Sequence, residues 1–358
     1  MVHEGGLDPV HGCGEHNDDS ENLLEELDLM ALNPRLRAKL ERQREQEKNI
    51  SREQLEELVR LFSQGSVFVN ESTANHSAAR VGGAVEAFVT TNDMDELKRA
   101  IAWANELSIE YRFWGTGSFT LVRDGGLSGI LIKLGDGFKD IAVERSFESE
   151  VFVSAGAGTK VYEFTSFCKA QGISGAEQLC GAQGTLGGLL CAQASPDGKT
   201  LEGMVEEITI ITREGRELTL RGSGLRFEEG RLKIPRTSCV TKALFKLSRA
   251  CDSVIARSPS TLLRAGSCDE AIPYDTPCFA LAFKSPCKTS AQILIDEAGL
   301  TSVRVGNARV SAENACTIQN EGDATAKDII VLISLIKDRV KQASGILLVS
   351  TIDIVGKR

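Results

Sequence analysis

The chain has 358 residues, 42% hydrophobic and 25% charged, a soluble globular balance with material for two or three domains. A net charge of −9 argues against a general nucleic-acid binder, and 5% aromatics argues against a stacking platform for single strands. No run approaches the ~20 apolar residues that span a bilayer, and the acidic start MVHEGGLDPVHGCGEHNDD lacks a cationic, apolar signal pattern, so a cytoplasmic protein is expected.

Residues 1–20 hold little that can be buried and are expected to lack structure. SENLLEELDLMALNPRLRAKLERQREQEKN follows, acidic up to Asp28 and basic from Arg35, with Pro34 separating two short helices. SREQLEELVRLF opens on a capping box, Ser51 with Gln54, and places Leu55, Leu58, Val59 and Phe62 on one helical face. The extension over 1–65 therefore reads as a helical appendage to the body, or as a docking arm for a protein partner.

From residue 66 the texture alternates. AVEAFVTT predicts a strand, DMDELKRAIAWANEL a helix, and EYRFWG, GILIKL, DIAVER and VFVSAGAG further strands. KVYEFTSFCKAQG predicts a helix, and MVEEITIITREGRELTL a hairpin turning at Glu214-Gly215. The remainder predicts strands at 276–285, 301–311, 314–320 and 346–356, with helices at 290–300 and 325–345. Without regular βαβ alternation the fold class is α+β.

Ten cysteines carry no CxxC spacing and read mostly as small core residues in a reducing compartment. Three of the four histidines fall in the first sixteen residues; the HGCGEH clump is a weak metal pattern, and no metal site is expected. His76 is the only histidine of the body, which leaves no material for a His-assisted triad.

Two glycine loops remain, GTGS at 115–118 and GAQGTLGG at 181–188. Glycines let backbone approach a pyrophosphate, and successive N–H groups make an anion nest, with Ser118 and Thr185 adding hydroxyls. Tight turns use the same residues. Neither loop completes the G-x-G-x-x-G of a Rossmann site.

In order, NESTANHSAARVGGAVEAFV, GTGSFTLVRDGGLSGILIKLGDG, GISGAEQLCGAQGTLGG, LIDEAGLTSVRVGNARVS and NEGDATAKDIIVLI resemble the UDP-N-acetylenolpyruvoylglucosamine reductase (MurB) family of peptidoglycan synthesis, in its shorter type. The resemblance implies a two-lobed FAD-binding domain of the vanillyl-alcohol-oxidase (PCMH) type over 66–247 and a substrate domain over 248–358. It implies FAD as cofactor, NADPH as hydride donor and an enolpyruvyl UDP-sugar as substrate. Gly115, Thr116, Gly117, Ser118, Gly181, Gly184, Thr185, Gly187 and Gly188 would hold the cofactor.

Departures from the family pattern weaken the site. Phe119 stands where the family has an amide side chain, Gln193 where it has asparagine, and Gln183 where it has proline. CFALAFKSP puts Leu281 in the place of the proton-donating serine or cysteine, and STIDIVG puts Thr351 in the place of the glutamate. RFEEGRLK leaves Gly230 at the arginine unless Arg231 shifts in. The catalytic candidates are Lys284, Arg231 and Asp353. Two readings follow: a flavin reductase of doubtful activity, or an inactive homologue that binds FAD, a nucleotide sugar or a protein partner.

Overall fold

The computed structural model describes residues 49–192, 201–228, 231–249, 276–280, 282–286 and 289–357. The two helices expected before residue 48, the HGCGEH clump, and positions 193, 230 and 281 lie outside the described residues.

Helix α1 (Arg52–Leu61) starts with the expected box: Ser51 Oγ accepts from Gln54 N at 3.2 Å, and Ser51 N donates to Gln54 Oε1 at 2.9 Å. Leu58 and Phe62 are buried in the main core, whereas Val59 is 45% exposed. The helix packs on edge strand β1, and Arg99 of the following helix lies over the Phe62 ring at 6.0 Å, so Leu58 and Phe62 are covered while Val59 stays open.

Strands β1 (Val67–Ser72), β2 (Ala84–Thr91), β5 (Leu127–Leu134) and β3 (Tyr111–Trp114) form one sheet in that order. β1 runs antiparallel to β2, and β5 runs parallel to both of its neighbours. Helix α2 (Met94–Glu106) makes the crossover; Asp93 Oδ1 caps it by accepting from Glu96 N at 2.7 Å. A second sheet, antiparallel throughout, orders β10 (Glu217–Arg221), β9 (Val205–Ile211), β13 (Cys239–Arg249), β7 (Glu150–Gly156) and β6 (Ile141–Ser146). Central β13 was not among the predicted strands, yet it alternates cleanly: Ala243, Phe245 and Leu247 are buried while Lys242, Lys246 and Ser248 are exposed. One core joins the sheets, with Val89 and Ile132 from the first and Val153, Ile208 and Phe245 from the second. Helix α3 (Val161–Ala170) adds Phe164, whose ring centroid is 4.7 Å from that of Phe245.

The C-terminal lobe has its own core. Strands β14 (Cys278–Phe279), β18 (Ile318–Asn320), β17 (Ala308–Val310) and β16 (Arg304–Val305) form its sheet, in that order. Helices α5 (Ala291–Glu297) and α6 (Ala326–Ser344) cover it, burying Ile295, Ile329, Leu332 and Ile336. Three predicted strands differ here. Residues 276–285 divide into β14 and β15 (Phe283–Lys284), because β14 pairs with β18 and β15 with β19 (Val349–Ser350). Residues 301–311 fold back as the hairpin of β16 and β17. The last run divides into β19 and β20 (Asp353–Val355), and β20 pairs in parallel with β4 (Thr120–Val122) of the first lobe.

Cys168, Cys239, Cys278 and Cys316 are buried free thiols, as expected of core cysteines, while Cys180 is disulfide-bonded. Among the described residues no helix is long and apolar enough to cross a membrane.

Candidate cofactor site

Strand β3 ends at Trp114 and the chain turns straight into Gly115-Thr-Gly-Ser118. Gly117 takes φ +65°, and a Cβ there would lie 2.6 Å from the Trp114 ring and 3.0 Å from Ser77 Cα. Only glycine fits this turn without displacing one of those neighbours. Thr116 and Ser118 hydroxyls bond each other at 2.8 Å, and Thr116 O accepts from Ala78 N at 2.7 Å.

The second loop runs from Gly181 into helix α4 (Leu186–Cys191). It is fixed along the turn after β7: Val161 N donates to Gly184 O at 3.0 Å, Leu186 N to Thr159 O at 2.9 Å and Gly187 N to Ala157 O at 2.9 Å. Thr185 Oγ1 caps α4 by accepting from Gly188 N at 3.2 Å.

These loops, separated by more than sixty residues, touch. A Cβ on Gly115 would sit 2.7 Å from Thr185 Oγ1, and one on Gly184 would sit 3.4 Å from the Phe119 ring and 3.5 Å from Ser118 Oγ. Phe119 thus spans the gap with an apolar contact where the family pattern has an amide. Gln183 is buried, and its Nε2 donates to Cys278 Sγ at 3.4 Å, tying the second loop to β14 of the other lobe. Burial raises the Cys278 thiol, with the Gln183 hydrogen bond acting the other way.

Gly117, Ser118 and Gln183 are buried, yet their amide N–H groups, with those of Thr116, Gly184 and Thr185, donate to no acceptor among the described residues. The fully buried Thr159, whose carbonyl holds the second loop, also has an unpartnered hydroxyl. Buried donors are almost always satisfied. Amides without an acceptor among the described residues, on two glycine loops in contact with each other, suit an anionic ligand such as a pyrophosphate.

The candidates for chemistry are only partly gathered. Thr351 N donates to Ala282 O at 3.1 Å and Asp353 N to Phe119 O at 2.9 Å, so residues 351–353 bridge the segment flanking position 281 to the first glycine loop. Asp353 itself is exposed. Lys284 is half-buried on β15, opposite Val349. Arg231 stands apart, exposed on β12 (Arg231–Leu232); its charge is felt by Cys191 at the end of α4, a thiol that desolvation pushes up to about 11 against that charge. Sequence reasoning missed Asp124. Its Oδ1 and Oδ2 accept from Ala326 N at 2.9 Å and Lys327 N at 3.0 Å, bracing the first turn of α6 from the segment that follows β4. Its signal was present in the RDGG run, where an Asx residue beside glycines suggests only a turn.

Two sheets with a crossover helix, paired glycine loops and a C-terminal α+β lobe make the two-lobed α+β fold of an FAD-binding-domain protein. Residues 85–221 match the family of the FAD binding domain, and residues 272–355 match the C-terminal domain of UDP-N-acetylenolpyruvoylglucosamine reductase. The chain is similar to the UDP-N-acetylenolpyruvoylglucosamine reductase of Geobacter metallireducens, 35% identical over 82% of this chain and 95% of that one. It is 28% identical to the enzyme of Anoxybacillus flavithermus over 86% of this chain and 100% of that one. The crystal structure of the reductase (MurB) from Thermus caldophilus matches with a TM-score of 0.64 at 27% identity, over 80% of this chain and 97% of that one. The chain belongs to the UDP-N-acetylenolpyruvoylglucosamine reductase family.

Proposed function

We propose that this protein holds FAD by its pyrophosphate between the two glycine loops and presents it to an enolpyruvyl UDP-sugar bound against the C-terminal lobe. The observation that carries this reading is that the amides of Thr116, Gly117, Ser118, Gln183, Gly184 and Thr185 have no acceptor among the described residues, with Gly117, Ser118, Gln183 and Thr185 buried. Gly115 and Gly187 let the loops close on Thr185 and Ala157, and Gly181 and Gly188 add no side chain beside them. When bound, the flavin supplies hydride chemistry, with NADPH as the donor implied by the family.

The chain's own contribution is binding and orientation. Lys284 offers a cation to phosphate or to the substrate carboxylate, and the segment 351–353 connects the substrate lobe to the first loop. Proton delivery is where this chain falls short. Leucine at 281 has no proton to give, Thr351 cannot act as a carboxylate, and Asp353 is turned to the surface. General acid–base assistance contributes ~10²–10⁴-fold, so turnover far below that of a complete reductase is expected. The same residues favour a second reading, a protein that binds FAD and a nucleotide sugar without reducing it.

Flavin content of the purified protein tests the first step. A yellow protein with about one FAD per chain is expected, and a colourless one that takes up no added FAD would refute the reading. NADPH oxidation with the enolpyruvyl UDP-sugar then separates slow turnover from none.

A further inference from the structure

His76 lies directly behind the first glycine loop. Its ring stacks on Phe88 with centroids 3.9 Å apart and planes 13° from parallel, and Phe68 flanks it at 6.0 Å. Nε2 is 3.0 Å from Glu71 Oε1, which also accepts from Asn75 Nδ2 at 3.0 Å. The backbone that carries this ring meets the loop at three successive residues. His76 O accepts from Trp114 Nε1 at 3.1 Å, Ser77 packs on Gly117, and Ala78 N donates to Thr116 O at 2.7 Å.

We infer that His76 is a positioning residue for the first glycine loop: its pairing with Glu71 and its stack on Phe88 fix the tripeptide that sets the loop's amides. The inference rests on the cofactor reading for its consequence, but not for its geometry. Two charged groups face the ring, Glu71 from β1 and Lys133 from β5; the other neighbours, Phe68, Phe88 and Trp114, are uncharged. Burial lowers the His76 pKa most and Lys133 lowers it further, while Glu71 acts in the opposite sense. At neutral pH the uncharged ring donates Nε2–H to Glu71. Because the folded pKa lies below the unfolded value of about 6.5, the folded chain binds fewer protons than the unfolded one in the interval between them. The support is therefore complete above about pH 6.5 and is lost as pH falls below it. Charging the ring places a cation in this partly buried stack, where the desolvation cost outweighs the closer pairing with Glu71, and the tripeptide and the loop it holds loosen.

The test uses the full chain with Trp103→Phe, which leaves Trp114 as the single tryptophan. Without FAD, Trp114 fluorescence followed from pH 8 to 5 is expected to show a transition below pH 6.5. Adding His76→Phe, which keeps a stacked ring but has no proton to bind, should abolish it. Adding Glu71→Gln, which keeps an acceptor but removes the stabilising charge, should move the midpoint to lower pH. FAD affinity should fall about fivefold or more between pH 8 and 5.5 in the parent and change little in His76→Phe, on the usual scale of site coupling. A pH-independent Trp114 signal, an unmoved midpoint in Glu71→Gln, or the same FAD affinity at both pH values overturns the inference. If the chain takes up no FAD at any pH, the cofactor reading falls, and the Trp114 titration alone decides whether His76 sets the loop.

Discussion

Replacing Gly117 with alanine strikes the first loop at its tightest point. Alanine in the left-handed region costs about 1–2 kcal/mol. Its Cβ would also lie 2.6 Å from the Trp114 ring, which cannot swing aside freely because its Nε1 is bonded to His76 O. Forcing an extra methyl into such packing costs roughly 1–3 kcal/mol, for a total of about 2–5 kcal/mol. At ~2.1 cal/mol/K per residue over the roughly 270 described residues, melting should fall by about 4–9 °C. If the strain is relieved by unseating the loop, the binding-competent population falls by up to the same free energy, and a ~2 kcal/mol loss weakens FAD binding by as much as about 30-fold. Gly181→Ala is the matched control: φ there is +85°, but nothing lies within 4 Å of the added Cβ, so only the ~1–2 kcal/mol backbone cost applies. Thermal melting by circular dichroism and FAD titration of the apo-protein measure both variants. Equal behaviour of the two, or wild-type FAD affinity in Gly117→Ala, would refute the cradle geometry.

Asp124→Ala removes two charge-assisted bonds to the first turn of α6. Because Asp124 is exposed, the loss should sit near the lower part of the capping range, about 1–2 kcal/mol. Urea unfolding should show it, shrinking as salt is added, whereas an unchanged midpoint would mean that Thr325 caps α6 alone. Leu281→Ser combined with Thr351→Glu should raise NADPH-dependent turnover on the order of 10²-fold in a flavin-loaded protein. No gain would count against the correspondence of these positions with the proton donor and the glutamate.

Where a segment's pattern is periodic and its partners are local, the sequence was sufficient. The capping box at Ser51, the α2 and α6 helices and the β9–β10 hairpin all form within a residue or two of their predicted bounds. The C-terminal runs were misjudged for a tertiary reason: 276–285 and 346–356 are each shared between two partners in different sheets, and no local pattern announces the exchange. Similarly, GTGS and GAQGTLGG were recognisable as glycine loops, but turn and cradle use the same residues. What separates them is whether buried amides are left unspent, a property of the surroundings rather than of the loops.

The sequence by itself determined the α+β fold class, and it supplied the resemblance that would set Leu281 and Thr351 at the places of a proton donor and a carboxylate, because residue identity fixes what a side chain can donate or accept. Only the tertiary structure decided that Gly115 would meet Thr185, that Gln183 reaches Cys278, that His76 O meets Trp114 beside the first loop, and that Asp124 braces a helix of the other lobe. Those contacts join residues tens to hundreds apart in the chain. Their geometry is set by how two sheets and a returning C-terminal strand pack, and spacing along the sequence carries no record of it.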